Sequence, residues 1–110
     1  MSEGRYSVRW AEVAVQDLER LVENLQTENP QAARKLLDHV AKKATSLKLM
    51  PLRGRRVPEL AYFELSTYRE LLIRPYRLIY RVEAQDVWVV AVFDGRRDLS
   101  DVLLWRLMEL

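Results

Sequence analysis

From Ala11 to Leu49 the apolar residues recur at helical spacing, and from Tyr68 to Phe93 they recur at strand spacing. That change of period constrains the chain more than any other feature. In the first half, Ala14, Leu18, Leu21, Val22 and Leu25 fall at i, i+4, i+7, i+8 and i+11, one face of a helix. This predicts a helix from about Ala11 to about Glu28. Asn29-Pro30 ends it and starts the next: Asn29 is a natural N-cap, and Pro30 is suited to a first helical position. Ala33, Leu36, Leu37, Val40, Ala44 and Leu47 form the stripe of that second helix, which Pro51 should stop near Leu49. The two helices form a hairpin with almost no loop, and each needs something to cover.

The second half supplies the cover. Met50 to Pro58 reads as a basic loop broken by Pro and Gly. Three strand-like runs follow, Tyr68–Ile73, Tyr76–Glu83 and Val87–Phe93. In the middle run Tyr76, Leu78, Tyr80 and Val82 should face one way, with Arg77, Ile79, Arg81 and Glu83 opposite. The third run is apolar on both faces, as expected of a central strand. Ala84-Gln85 is a tight hairpin connection. Tyr6 to Trp10 reads as a first strand. Asp98 or Ser100 can cap a last short helix bearing Leu99, Leu103, Leu107 and Leu110. The order β-α-α-β-β-β-α segregates helices from strands, so the fold class is α+β: an N-terminal strand, a helical hairpin packed on an antiparallel β-meander, and a short C-terminal helix.

A chain of 110 residues supports one domain, taken here as 1–110. It has no cysteine and one histidine, which argues against disulfides and any thiolate metal site; no metal and no cofactor is expected. No apolar run is long enough to span a membrane, and the expected location is the cytoplasm. The net charge of +2 is too small to argue for nucleic-acid binding. The distribution of bases says more. Lys35, Lys42, Lys43 and Lys48 lie in the helical half, and every later base is an arginine. Arginine favours bidentate contacts to phosphate or carboxylate. Acids on the same sheet (Glu59, Glu64, Glu70, Glu83 and Asp94) are the alternative partners for those arginines.

Four segments carry a resemblance. They are Gly54-Arg55-Arg56-Val57-Pro58-Glu59-Leu60, Tyr68-Arg69-Glu70-Leu71, Pro75-Tyr76-Arg77-Leu78-Ile79-Tyr80-Arg81-Val82, and Val89 to Asp98 with its Gly95-Arg96-Arg97-Asp98 turn. Together with Val8-Arg9-Trp10, Ala14 and Asp17-Leu18, they resemble the RelE/ParE toxins of bacterial type II toxin–antitoxin systems, also called plasmid stabilisation proteins. The resemblance implies a growth-inhibiting toxin neutralised by a cognate antitoxin, with which it would form a hetero-oligomer. It leaves two targets open. RelE-like members cleave mRNA in the ribosomal A site; ParE-like members poison DNA gyrase.

If the chain is a nuclease, Arg69, Arg77, Arg81, Asp94 and Arg96 are the catalytic candidates, the arginines to stabilise phosphate charge and Asp94 or Glu70 as base. Arg77→Ala is then expected to abolish cutting. Arg55, Arg56, Arg97 and Trp105 are candidates for contact with antitoxin or target; Trp10 and Trp88 are further aromatic contacts, Trp88 more simply a sheet-core residue. Many relatives carry histidine where Asp94 stands, loop lysines after the second helix and a tyrosine in the last helix. This chain has none of these, and His39 lies in the middle of the second helix. The resemblance therefore leans to a ParE-like gyrase inhibitor. A ribosome-dependent mRNA interferase and a non-toxic binding module of the same fold are the alternatives.

Overall fold

The computed structural model describes residues 5–63, 67–96 and 100–109. Strand β1 (Ser7–Trp10) leads into α1 (Glu12–Glu28) and α2 (Pro30–Ser46). After them come β2 (Arg55–Arg56), a 3-10 helix (Pro58–Phe63), β3 (Tyr68–Ile73), β4 (Tyr76–Glu83), β5 (Asp86–Asp94) and α3 (Ser100–Glu109). The five strands form one sheet in the order β1-β5-β4-β3-β2. The later pairs are antiparallel, and β1 joins the far side of β5 in parallel. The α+β reading holds, and its element order holds apart from the added β2 and 3-10 helix.

The helical hairpin turns where the dipeptide places it. The Asn29 side chain accepts a hydrogen bond from the Ala32 N–H at 3.1 Å, satisfying a donor the first turn leaves open. The α2 helix stops at Ser46, three residues short of Leu49, because Leu47 turns its N–H back to the Ala44 and Thr45 carbonyls. The basic loop also differs from expectation. Arg55 and Arg56 pair with Glu70 and Arg69 as a fifth strand, and the 3-10 helix follows. Two charged residues are too few to show a strand period, so sequence pattern does not reveal them.

Two cores sandwich the sheet. One lies under the hairpin and contains Ala14, Leu36, Val40, Leu47, Leu78, Tyr80, Val87 and Val89. The other lies under α3 and the 3-10 helix and contains Val57, Leu60, Ile79, Val90, Ala91 and Leu103. The expected alternation in β4 is seen, with Leu78 and Tyr80 beneath the hairpin and Ile79 opposite. In β5 it breaks: Ile79 pairs with Ala91 while Tyr80 pairs with Val89, so Val90 is the extra residue of a bulge. Val90 and Ala91 both join the second core as a result. Apolar cover on both sides of β5 accounts for its lack of alternation. Ala84 supplies the left-handed residue of the β4–β5 turn, at φ 53°.

Beyond Trp10 the chain leaves β5, whose outer edge would otherwise stay open. Helix α1 closes it. Asp17, 4% exposed, accepts the Val92 N–H at 3.1 Å. The same carboxylate receives Arg106 of α3 at 2.8 and 3.1 Å. The Arg106 guanidinium also lies over the Phe93 ring, 5.1 Å from its centroid. One ion pair thus ties α1, β5 and α3 together.

Among the described residues, no helix is long and apolar enough to cross a membrane, and no group of three or more His, Asp or Glu could hold a metal ion.

Candidate functional site

Register decides which arginines share a face. Directly opposed residues in an antiparallel pair project the same way. Arg55 opposes Glu70, Glu70 opposes Ile79, and Leu72 opposes Arg77. Arg55, Arg77 and Arg81 therefore lie on the α3 side of the sheet. Arg69 opposes Tyr80 and Arg56 opposes Arg69, which puts both on the hairpin side. The candidates do not form a single cluster.

Arg77 is the centre of the α3-side group. Its side chain is 8% exposed and lies beside two carboxylates. The Nε donates to Glu70 Oε1 at 2.7 Å, and the two terminal nitrogens grip Glu59 at 2.6 Å each. The second oxygen of Glu70, whose side chain is fully buried, accepts from Arg55 Nε at 2.5 Å. The bidentate bond to Glu59, with further help from Glu70, holds the Arg77 proton far more tightly than usual. Gly95 makes this geometry possible. A Cβ there would lie 2.7 Å from Arg77 Cγ and 2.9 Å from the Pro75 carbonyl oxygen.

Beside Arg77 an open cleft of about 510 Å³ is lined by Arg55, Arg74, Tyr76 and Arg96, with Leu72 at its wall. Arg96 is exposed and folds onto Asp94, donating from Nε at 2.9 Å and from its backbone N–H at 3.0 Å. That contact raises the Arg96 pKa, with a smaller contribution from Tyr76. Arg74 makes no ion pair among the described residues. The structure thus brings Arg55, Arg77, Arg96 and Asp94 together. Pattern reading did not single out Arg74 or Tyr76 as site residues, and it named Glu59 only as an alternative partner for the arginines; the turn at Arg74-Pro75 between two strands was the available signal for the first two.

The other candidates lie apart. Arg81 pairs with Glu83 at 3.1 Å, away from the cleft, and its buried Nε has no partner among the described residues. Arg69 donates to the Gly54 carbonyl at 2.9 Å. Arg56 is exposed on the short β2 strand. Trp105 is 67% exposed on the outside of α3, whereas Trp88 is half-buried against the second core and Trp10 against the first. His39 is exposed on α2. Arg97 and Glu64 lie outside the described residues.

Tyr80 is buried beneath the hairpin, and its hydroxyl accepts the Gly54 N–H at 3.0 Å. A Cβ on Gly54 would come within 2.7 Å of that hydroxyl, so glycine lets the β2 approach form. Burial disfavours the phenolate and pushes the Tyr80 pKa above its ordinary value of 10.0, against a smaller opposing effect of Gly54, Arg69 and Arg53. The folded state therefore holds this proton more tightly than the unfolded chain. The resulting stabilisation is full below the ordinary tyrosine pKa and is lost as pH rises through the folded one. Tyr80→Phe is expected to cost about 1–2 kcal/mol at pH 7, by orphaning the Gly54 N–H, and to raise the pH of alkaline unfolding. Urea melts at neutral and high pH measure both, and an unchanged alkaline midpoint would contradict the second.

A family model described as the ParE toxin of the type II toxin–antitoxin system parDE matches residues 8–99. No curated protein matches by sequence. Solved structures share the fold, among them the following. The chromosomal ParDE system of Pseudomonas aeruginosa superposes with a TM-score of 0.67 at 20% identity, over 84% of this chain and 98% of that one. Free Escherichia coli toxin RelE, as a mutant, gives 0.63 at 15% identity, over 96% and 98%. The RelBE2 toxin–antitoxin complex of Mycobacterium tuberculosis gives 0.56 at 22% identity, over 84% and 93%.

Proposed function

Because this chain belongs to the ParE toxin family of type II toxin–antitoxin systems, we propose that it arrests growth by inhibiting DNA gyrase in the cytoplasm until a cognate antitoxin sequesters it. One observation carries the choice of target. The arginine most central to the cleft is already committed: all three guanidinium nitrogens of Arg77 bond to Glu59 and Glu70. Two carboxylates already offset its charge, which leaves it poorly placed to stabilise a phosphate in flight. Its role is to position the sheet, as is that of Arg55, which shares Glu70. Asp94 is likewise committed to Arg96. The face supports binding better than proton transfer.

Purified toxin, freed from its antitoxin, should block supercoiling by gyrase at micromolar excess. Full supercoiling in the presence of toxin that arrests growth in cells would defeat the gyrase reading. The second reading, ribosome-dependent mRNA cleavage, draws support from Tyr76. Among the described residues lining the cleft it is the one with a hydroxyl, and it lies near Arg96. On that reading primer extension would show A-site cuts that disappear in Tyr76→Phe. Growth unimpaired by the chain alone would count against both targets and leave a non-toxic binding module.

A further inference from the structure

The turn after α2 leaves large apolar side chains uncovered. Leu49, Met50 and Leu52 lie within four consecutive positions and are 66, 53 and 61% exposed. They line neither the arginine cleft nor the depressions along α2 and β1, so they project from the surface. The turn itself is firmly held. The Arg53 N–H bonds to the Met50 carbonyl at 3.2 Å, closing a β-turn with Pro51 at its favoured second position. The Met50 N–H bonds to the Ser46 carbonyl at 3.1 Å, and the Lys48 carbonyl accepts the Tyr6 N–H at 2.8 Å. On the far side Arg53 donates to the Ser46 hydroxyl at 2.8 Å, and Gly54 to the Tyr80 hydroxyl at 3.0 Å. Backbone and polar contacts fix the shape, and none of them shelters the three apolar groups. The surrounding charge is one-sided. From His39 to Pro58 the sequence has Lys42, Lys43, Lys48, Arg53, Arg55 and Arg56 and no acid, although the whole chain carries only +2. Arg5 shares a shallow depression with Lys48 and Tyr6. Arg5, Lys48 and Arg53 are exposed and make no ion pair among the described residues.

We propose that this turn docks the protein on an anionic lipid bilayer, with Leu49, Met50 and Leu52 entering the headgroup–acyl boundary and Arg5, Lys48 and Arg53 against the lipid phosphates. Clustered exposed apolar groups mark a partner or a membrane surface. Shape chooses between them. A projecting turn suits a surface that deforms around it, whereas a protein partner must offer a recess cut to fit. Proteins that lie on a bilayer bury apolar groups about 5–10 Å into the boundary, a depth within reach of side chains on such a turn. The long stems of lysine and arginine let their charges stay among the headgroups as the tip sinks. Charge complementarity selects anionic lipid, and each cation near such a surface strengthens binding about fivefold. Tyr6, half-buried beside Lys48, is of a residue type enriched at headgroup level. A nucleic acid would find three aliphatic side chains on which no base can stack. Because the turn is already ordered, docking loses little further conformational freedom. Attachment of this kind is reversible, since so small a tip falls far short of a spanning helix. The inference goes beyond the toxin reading and does not depend on it.

The test is co-sedimentation of the intact purified chain with vesicles at about 0.15 M salt, either pure phosphatidylcholine or with about a third of the lipid replaced by phosphatidylglycerol. Saturable binding to the anionic vesicles is expected, at least about tenfold tighter than to the neutral ones. L49S/L52S should weaken it about tenfold or more by removing the apolar tip. K48E should weaken it about tenfold, and K35E, the same reversal more than about 15 Å back along α2, by less than about twofold. All these side chains are exposed, so thermal melts should show each variant folded. Absence of binding to anionic vesicles overturns the proposal and leaves the turn to a protein partner. Equal weakening by K35E and K48E overturns it, since only net charge would then be felt. Undiminished binding by L49S/L52S overturns it too, as it reduces the contact to adsorption of charge. So does a short DNA duplex that displaces vesicles from wild type, which would favour nucleic acid. None of these measurements uses gyrase or growth, so their failure and that of the gyrase reading are distinguishable.

Discussion

Arg77→Ala should destabilise the domain by about 3–5 kcal/mol, the usual cost of removing one partner from a buried ion pair. Glu70 is then left fully buried with only Arg55 to compensate it, and Glu59 loses both bonds to the guanidinium. A domain of this size is typically stable by only about 5–15 kcal/mol, so much of the variant could be unfolded in a cell. Urea denaturation of purified protein measures the loss. A cost below about 1 kcal/mol would mean that water reaches and rescues Glu70, contrary to its burial. The double variant R77M/E70L should lose less than the single one, because it removes both charges and leaves apolar volume behind. The consequence for function is direct. Loss of toxicity or of cutting in Arg77→Ala cannot be assigned to catalysis until the variant is shown to be folded. Arg96→Ala is the better probe, since Arg96 is exposed and its only described acidic partner is Asp94, two residues away.

Asp17→Ala should cost about 3 kcal/mol or more, through three losses at once. The Val92 N–H loses its acceptor, Arg106 loses its counter-ion, and α3 loses its tie to α1. Hydrogen exchange should then quicken first in α3 and along the outer edge of β5, before the rest of the sheet. Asp17→Asn keeps an acceptor for Val92 while removing the charge, so it should fall between wild type and Ala. Uniform exchange across the domain in Asp17→Ala, with no lead from α3, would contradict this account.

How much of this was legible follows from what period and spacing can encode. The bounds of β3 and β4 and the hairpin at Asn29-Pro30 were readable because each rests on local pattern or cap chemistry. The parallel seating of β1 was not, since nothing in four residues names a partner 79 positions away, as Ser7 is from Asp86. The candidate site was half readable. Arginines on strands announce themselves, but their faces depend on register, and Arg55 and Arg56 belong to a strand too short to show one. The acids Glu70 and Glu59 were visible as alternative partners, yet only the fold reveals that both converge on Arg77. Asp17 did leave a signal. It interrupts the apolar stripe of α1 between Ala14 and Leu21, and a carboxylate in such a position requires a buried partner.

The closed arginine–glutamate network also bears on how fast a partner can arrive. A cation held against a carboxylate projects mainly a dipole, whose field fades more quickly with distance than that of a lone charge. Beyond about 8 Å at physiological salt, little of the Arg77 cluster reaches into solution. Lys42 and Lys43 of α2 make no ion pair among the described residues and keep their full charge. An acidic molecule diffusing toward this protein is therefore drawn to the helical side first, and its association rate should fall with added salt in proportion to those few lysines. The sheet-side arginines, for all their number, come into play only once contact has been made.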